Sequence, residues 1–181
     1  MATWTFDPTH SSASFSAKHL MITTVRGSFK KVTGSIEYDP ANPTATTVIA
    51  EIDAASIDTG LTDRDNHLRS PDFLDALTFP LLTFKSKNIQ HTTDTTAKIT
   101  GDLTIRGMTR EVVLDAELLG IQTDPFAGSQ KAGFVAETKI NREDWGLVWN
   151  VALEAGGVLV GKEIKITLDV EAVKVAEAVP A

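Results

Sequence analysis

The sequence predicts an all-β fold, an antiparallel barrel or sandwich interrupted by one short helical insertion. Three observations carry that prediction. Apolar and polar residues alternate with a period of two along most of the 181-residue chain, the pattern of half-buried strands. Gly and Pro lie between the runs, and the connections are too short for crossovers, which favours an antiparallel meander. A single charged stretch, Thr62 to Ala76 (TDRDNHLRSPDFLDA), breaks the alternation.

In chain order, Ala13, Phe15 and Ala17 alternate with Ser12, Ser14, Ser16 and Lys18. Val32, Gly34, Ile36 and Tyr38 follow, ended by the turn signals Asp39-Pro40 and Asn42-Pro43. Val48, Ala50 and Ile52 oppose Thr47, Glu51 and Asp53. In the insertion, Thr62 is the expected N-cap, with Asp63 and Asp65 near the positive end of the helix. Ser70 before Pro71 and Asp72 reads as a second cap, because proline suits the first helical position.

Beyond the insertion, Ala97, Ile99, Leu103 and Ile105 face away from Lys98, Thr100, Asp102 and Thr104. Val112, Leu114, Ala116 and Leu118 oppose Glu111, Asp115 and Glu117. Ala132, Phe134, Ala136 and Ile140 form the next face, and Ile164, Ile166, Leu168, Val170 and Ala172 the last. The tail from Val173 to Ala181 loses alternation and is expected to fray. Residues 1–181 therefore read as one domain, with its core over about 3–172.

Composition narrows the function. A net charge of −7 argues against a nucleic-acid surface, and zero cysteines exclude disulfides, thiolate nucleophiles and Cys-based metal sites. No stretch approaches the length of apolar chain that a membrane-spanning helix needs, so an integral membrane protein is not expected. The N-terminus MATWTFDPTH has neither a basic nor an apolar leader region. A cytoplasmic location is the expectation from that, with a periplasmic or secreted one if a leader has been removed.

Catalytic signals are sparse. His10, His19, His67 and His91 are not spaced i, i+2 or i, i+4 from one another, so no metal site is expected. There is no G-x-S-x-G elbow, and Ser11, Ser12, Ser14 and Ser16 read as turn and strand-surface residues. The expectation is a protein without catalytic residues or a catalytic cofactor.

Barrel against sandwich decides what the interior can do. A sandwich fills its core with side chains, whereas an eight-stranded barrel can hold one small ligand. Ala13, Ala17, Ala50, Ala97, Gly101, Ala116, Ala132 and Ala136 are small inward candidates that would leave room. They can equally offset Phe15, Phe29, Phe84, Phe134 and Trp145, so the residue pattern leaves both architectures open. Arg64, Asp65, His67 and Arg69 form a polar cluster on the insertion with two readings. They either pin the helix to the sheet or meet a polar head group, since arginine suits carboxylate and phosphate. Trp145-Gly146-Leu147 reads as a closure, Gly for the bend and Trp as a plug, with Trp145 or Trp149 also placed to touch a ligand.

The run RDNHLRSPDFLD with Phe79-Pro80 and Phe84-Lys85-Ser86 resembles the signature of the YceI-like family. Matches continue in order through Trp4, Phe6-Asp7, His10-Ser11, Phe15, His19-Leu20, Val25, Gly27 and Phe29. Gly34, Ile57-Asp58-Thr59-Gly60, Gly101 to Ile105 with Gly107, Arg142, Gly146 and Gly161 extend them to about Val170. The resemblance implies a lipocalin-like antiparallel barrel that holds a polyisoprenoid or similar amphiphilic lipid. It thereby selects the extended eight-stranded barrel with a cavity.

The expected function is non-enzymatic binding, sequestration or transport of a polyisoprenoid, isoprenoid quinone or fatty-acid-like lipid. The expected lining comprises Phe15, Phe29, Ile36, Phe84, Leu103, Leu114, Phe134, Ala136, Trp145 and Ile166. Two alternatives are a lipid-modifying enzyme using the same cavity and a filled-core module that dimerises through an edge strand.

Overall fold

The structure, a computed structural model, describes residues 1–39 and 41–176. The strands are β1 (Ala2–Phe6), β2 (Ser12–His19), β3 (Thr23–Phe29), β4 (Val32–Tyr38), β5 (Thr47–Asp53) and β6 (Ile57–Asp58). Helix α1 (Thr62–Arg69) separates these from β7 (Leu81–His91), β8 (Thr96–Ile105), β9 (Met108–Thr123), β10 (Gln130–Asn141) and β11 (Val160–Lys174).

Eight staves result, because three pairs of strands lie end to end. β1 and β2 follow each other along β11, with Trp4 opposite Lys174 and Ser12 opposite Asp169. β4 continues β3 and β6 continues β5, each after a short break. Every stave pairs antiparallel with the next, and the pairing of β11 with β1 and β2 closes the ring. The predicted antiparallel eight-stranded barrel with one helical insertion is the fold observed.

The turns β2–β3 and β8–β9, the loop β10–β11 and the α1 segment all gather at one end of the barrel, called here the helix end. There β6 pairs only with β3, and α1 contacts β6 where β7 no longer accompanies it.

The alternating apolar residues predicted to share faces do point inward. Ala13, Val32, Val112, Leu114, Ala132, Val170 and Ala172 are all buried. Alternation does not reveal β7, because polar Ser86 shares the buried face with Leu82 and Phe84, and a bulge between Ser86 and Asn88 then resets the phase so that Ile89 is the next buried residue. The Ser86 hydroxyl accepts a hydrogen bond from the Val48 backbone N–H at 2.8 Å, which makes that burial tolerable. Two glycines make room for rings. A Cβ at Gly27 would strike Phe15, and one at Gly101 would strike Phe84, so each aromatic lies across a neighbouring strand where only glycine lets it pass.

Four expectations need correction. The α-helix ends at Arg69 rather than near Ala76. Ser70, preceding Pro71, is forced out of the helical region (ψ 168°), and turns carry the chain onward. The Ser70 hydroxyl therefore caps a turn, accepting from the Asp72 N–H at 3.3 Å, instead of starting a second helix. At the other terminus of α1, Leu61 rather than Thr62 is the N-cap, because the Leu61 carbonyl accepts the first helical bond from Asp65. The last strand also outruns its expected limit. Val173 and Lys174 remain in β11, and Val175 N–H donates to the Thr3 carbonyl at 2.8 Å. β1 supplies the partner that keeps this segment ordered; residues 177–181 of the expected tail, and Pro40 of the first turn signal, lie outside the described residues.

Candidate ligand cavity and its helix-end gate

The barrel encloses a cavity of about 740 Å³, inside the range of roughly 300–1,000 Å³ typical of small-molecule sites. A filled core is thereby set aside. All ten predicted lining residues, Phe15, Phe29, Ile36, Phe84, Leu103, Leu114, Phe134, Ala136, Trp145 and Ile166, face it. The space exists because Ala13, Ala17, Ala50, Ala97, Ala116, Ala132 and Ala136 supply short side chains between the rings. Charged lining groups are confined to the ends. Lys18, Asp63, Arg64 and Arg142 stand at the helix end with His19 and His67, and Asp94 and Glu117 at the other end with His91.

At the helix end the cavity meets a cluster drawn from distant parts of the chain. The His67 ring on α1 lies edge-on to Trp149 at 4.6 Å and to Phe73 at 5.0 Å between centroids. Phe73 and Trp149 are themselves 5.4 Å apart, within the distance at which aromatic pairs attract. His67 Nε2 is held 2.9 Å from the Asp72 carboxylate. One aromatic layer from α1, the following turn and the β10–β11 loop thus caps the cavity.

Beneath it lies Arg142, only 4% exposed. Its guanidinium donates to the carbonyls of Gly161, Leu147 and Val160 and stands 5.8 Å from the Phe73 ring centre. Desolvation pulls the guanidinium below its ordinary pKa, with only the charge of Glu143 opposing that. The residue sits in sequence among ordinary charged neighbours, and composition alone does not distinguish it. Phe73 and Arg142 both fall among the matches that carry the family resemblance, but no local pattern gives either a place at the cavity, since their meeting depends on the turn after Ser70.

Trp145, 3% exposed, acts as the wall plug expected of it: its indole N–H donates to the Leu103 carbonyl at 3.0 Å. Gly146 adopts φ 75° after the 3-10 turn Arg142–Trp145, a left-handed cap that glycine accepts without strain.

The polar cluster on α1 divides. Asp65 is buried and accepts from both the backbone N–H and the hydroxyl of Thr59, at 2.8 and 2.6 Å. Arg64 donates to the Thr59 hydroxyl and carbonyl at 2.7 and 2.8 Å. Arg69 donates to the carbonyls of Ala55 and Ile57 at 2.8 and 2.9 Å. These three pin α1 to the stave formed by β5 and β6. Arg64 and His67 also reach the cavity, whereas Asp65 and Arg69 do not. Asp65→Ala is expected to cost about 2–3 kcal/mol, because a charged acceptor is lost and two Thr59 donors are stranded. Thermal unfolding should register this as a Tm lower by roughly 4–12 °C.

Among the described residues one group could offer ligands to a metal ion, Asp7, His10 and Glu171. Lys131 already places its ammonium 2.7 Å from Glu171, 3.4 Å from Asp124 and 3.7 Å from Asp7. The Thr9 hydroxyl and then His10 hold the Asp7 carboxyl well below the usual range, and Asp7 in turn raises His10. A protein cation fills this place, and the group reads as a clasp where β1 passes into β2.

A family model described as YceI-like domain matches residues 4–172. A UPF0312 protein of Staphylococcus aureus (strain N315) is 40% identical over 171 residues, covering 94% of this chain and 97% of that one. The crystal structure of Burkholderia cenocepacia BcnA superposes with a TM-score of 0.78 at 24% identity, covering 92% of this chain and 98% of that one. A polyisoprenoid binding domain from Saccharophagus degradans, implicated in plant cell wall breakdown, gives a TM-score of 0.67 at 13% identity, with 94% and 97% covered. At those identities the two structures speak for the fold.

Proposed function

This chain belongs to the YceI-like domain family, and from that premise we propose that it binds a long, chain-like lipid of the polyisoprenoid or isoprenoid-quinone class and sequesters or carries it. The observation that carries this reading is the apolar cavity of about 740 Å³ inside the barrel, with ionisable side chains only at its ends. The Saccharophagus degradans neighbour, described as polyisoprenoid binding, points the same way.

The energetics require no precisely placed polar group. Each buried methylene contributes about 0.8 kcal/mol, so roughly ten such groups reach micromolar affinity. The ten lining residues named above are the proposed tail contacts. The polar end of the ligand belongs at the helix end, beside His67 and Arg64, where polar side chains approach the cavity. Asp65 and Arg69 act as anchors.

Mass spectrometry of an organic extract of the purified protein tests the ligand class directly. The expected result is a species with repeating isoprene units; an extract with only phospholipid or nothing above background contradicts it. His67→Ala tests the polarity of binding. It is expected to weaken a polyprenyl phosphate about ten- to a hundred-fold, the worth of a charged hydrogen bond, and to leave the matching polyprenol nearly unaffected. Equal losses for both ligands would remove the head group from His67.

A further inference from the structure

The β2–β3 turn runs against the usual rules for a surface hairpin. Its central residues, Leu20 and Met21, have φ of 52° and 62°, and Ile22 N–H donates to the His19 carbonyl at 3.1 Å. The connection between His19 and Thr23 has three residues, and within it two consecutive positive φ angles closed by that hydrogen bond form the turn pattern that favours Asn-Gly, because a Cβ crowds the left-handed backbone. Leucine and methionine occupy it here, and with Ile22 they are 38%, 53% and 77% exposed. Neither backbone preference nor solvation favours these residues. Strained, exposed apolar side chains of this kind mark a surface that meets an apolar partner.

Charge on the same segment says what that partner is. Between Asp7 and Glu37 there is no carboxylate, while Lys18, Arg26, Lys30 and Lys31 all carry positive charge, in a chain whose net charge is −7. Arg26 lies opposite Ser16 on one side of β2, and Lys165 lies opposite Ser16 on the other. Arg26, Lys30, Lys165 and Asp58 border a shallow depression on the outer wall, where Lys30 faces Asp58 at 3.6 Å and Lys165 faces Glu137 at 3.5 Å. That leaves Lys18 and Arg26 as the cations of the hairpin outside an ion pair among the described residues. A basic flank below an apolar tip is complementary to an anionic bilayer, whose head groups attract cations while its interface accepts apolar side chains.

We propose that the β2–β3 hairpin docks the barrel onto anionic lipid bilayers, with Leu20, Met21 and Ile22 entering the interface and Lys18 and Arg26 engaging head groups. Docking this way presents the aromatic-capped end of the cavity to the membrane. Leu20 N–H is bonded to the Leu159 carbonyl, and Met21 lies beside Gly157, both in the β10–β11 loop that carries Trp149. The purpose of docking rests on the lipid-binding reading, but its test does not.

The test is co-sedimentation of the full chain with vesicles of phosphatidylglycerol and phosphatidylcholine in equal parts, and with phosphatidylcholine alone. Binding is expected only to the anionic vesicles and should fall as salt is raised. Leu20→Asn with Met21→Gly restores the favoured turn residues, so thermal stability should hold or rise while vesicle partitioning falls at least tenfold. Arg26→Glu should weaken partitioning by fivefold or more, since each cation near the surface is worth about a factor of five. Equal binding to both vesicle types, or a folded turn variant that sediments like the wild type, would overturn the proposal. So would light scattering that shows a dimer lost in the turn variant, since a second copy would then be the partner. Uptake of polyprenol from detergent solution, measured in parallel, separates the two ideas: vesicle binding without uptake removes the ligand reading and leaves docking standing.

Discussion

Replacing Ala136 with phenylalanine is expected to abolish uptake of a fluorescent polyprenol while the barrel stays folded. Ala136 lies at the centre of β10, opposite Ala116 on β9 and Leu168 on β11, and its side chain faces the cavity. A phenyl ring there extends into open space rather than into a packed neighbour, so overpacking strain is small. The ring takes the volume of about six ligand carbons. At about 0.8 kcal/mol for each methylene no longer buried, affinity should fall by at least a hundredfold. Fluorescence titration measures the loss, and unchanged circular dichroism and Tm establish the fold. Wild-type uptake by the folded variant would show that the tail does not pass Ala136.

The largest loss of stability is expected from Arg142→Ala. Its guanidinium is the common donor to three carbonyls, those of Gly161, Val160 and Leu147, and so ties the start of β11 to the loop before it. Truncation strands these acceptors in a site with little water and removes the stem that packs beneath Phe73. Stranded buried acceptors cost about 1–3 kcal/mol each before relaxation, and a total of about 3–5 kcal/mol places this among the severe substitutions. The Tm should drop by roughly 10 °C. Arg142→Lys is expected to recover only part of this, because one ammonium cannot reproduce the planar fork. A Tm within the error of the wild type for Arg142→Ala would show that the carbonyls find other donors.

The two residues differ in how legible they are in the sequence. Alternation by itself puts Ala136 on an inward face, because the run through Ala132, Phe134 and Ala136 has only two phases and one of them buries charge. No such pattern marks Arg142. Its partners lie five to nineteen residues onward, beyond the reach of any local period, and become neighbours only when β10 and β11 pair.

The sequence by itself determined the fold class, the inward face of each alternating strand and the place of the helical insertion. Period-two burial and the charged break at Thr62 are local properties, written residue by residue. The length of α1 was less secure, because Ser70 joins the helical pattern in composition but is expelled from it by the ring of Pro71. Only the tertiary structure decided the rest. Closure required β11 to meet both β1 and β2 across almost the whole chain. Bulges that leave Lys87 and Leu119 without a cross-strand partner reset the register in β7 and β9. The aromatic cap brought His67 against Trp149 from distant parts of the sequence. The physical reason is the same in each case: strand patterning fixes which side chains point inward, but which strand lies beside which is a long-range choice, settled by closing the ring and sharing one interior.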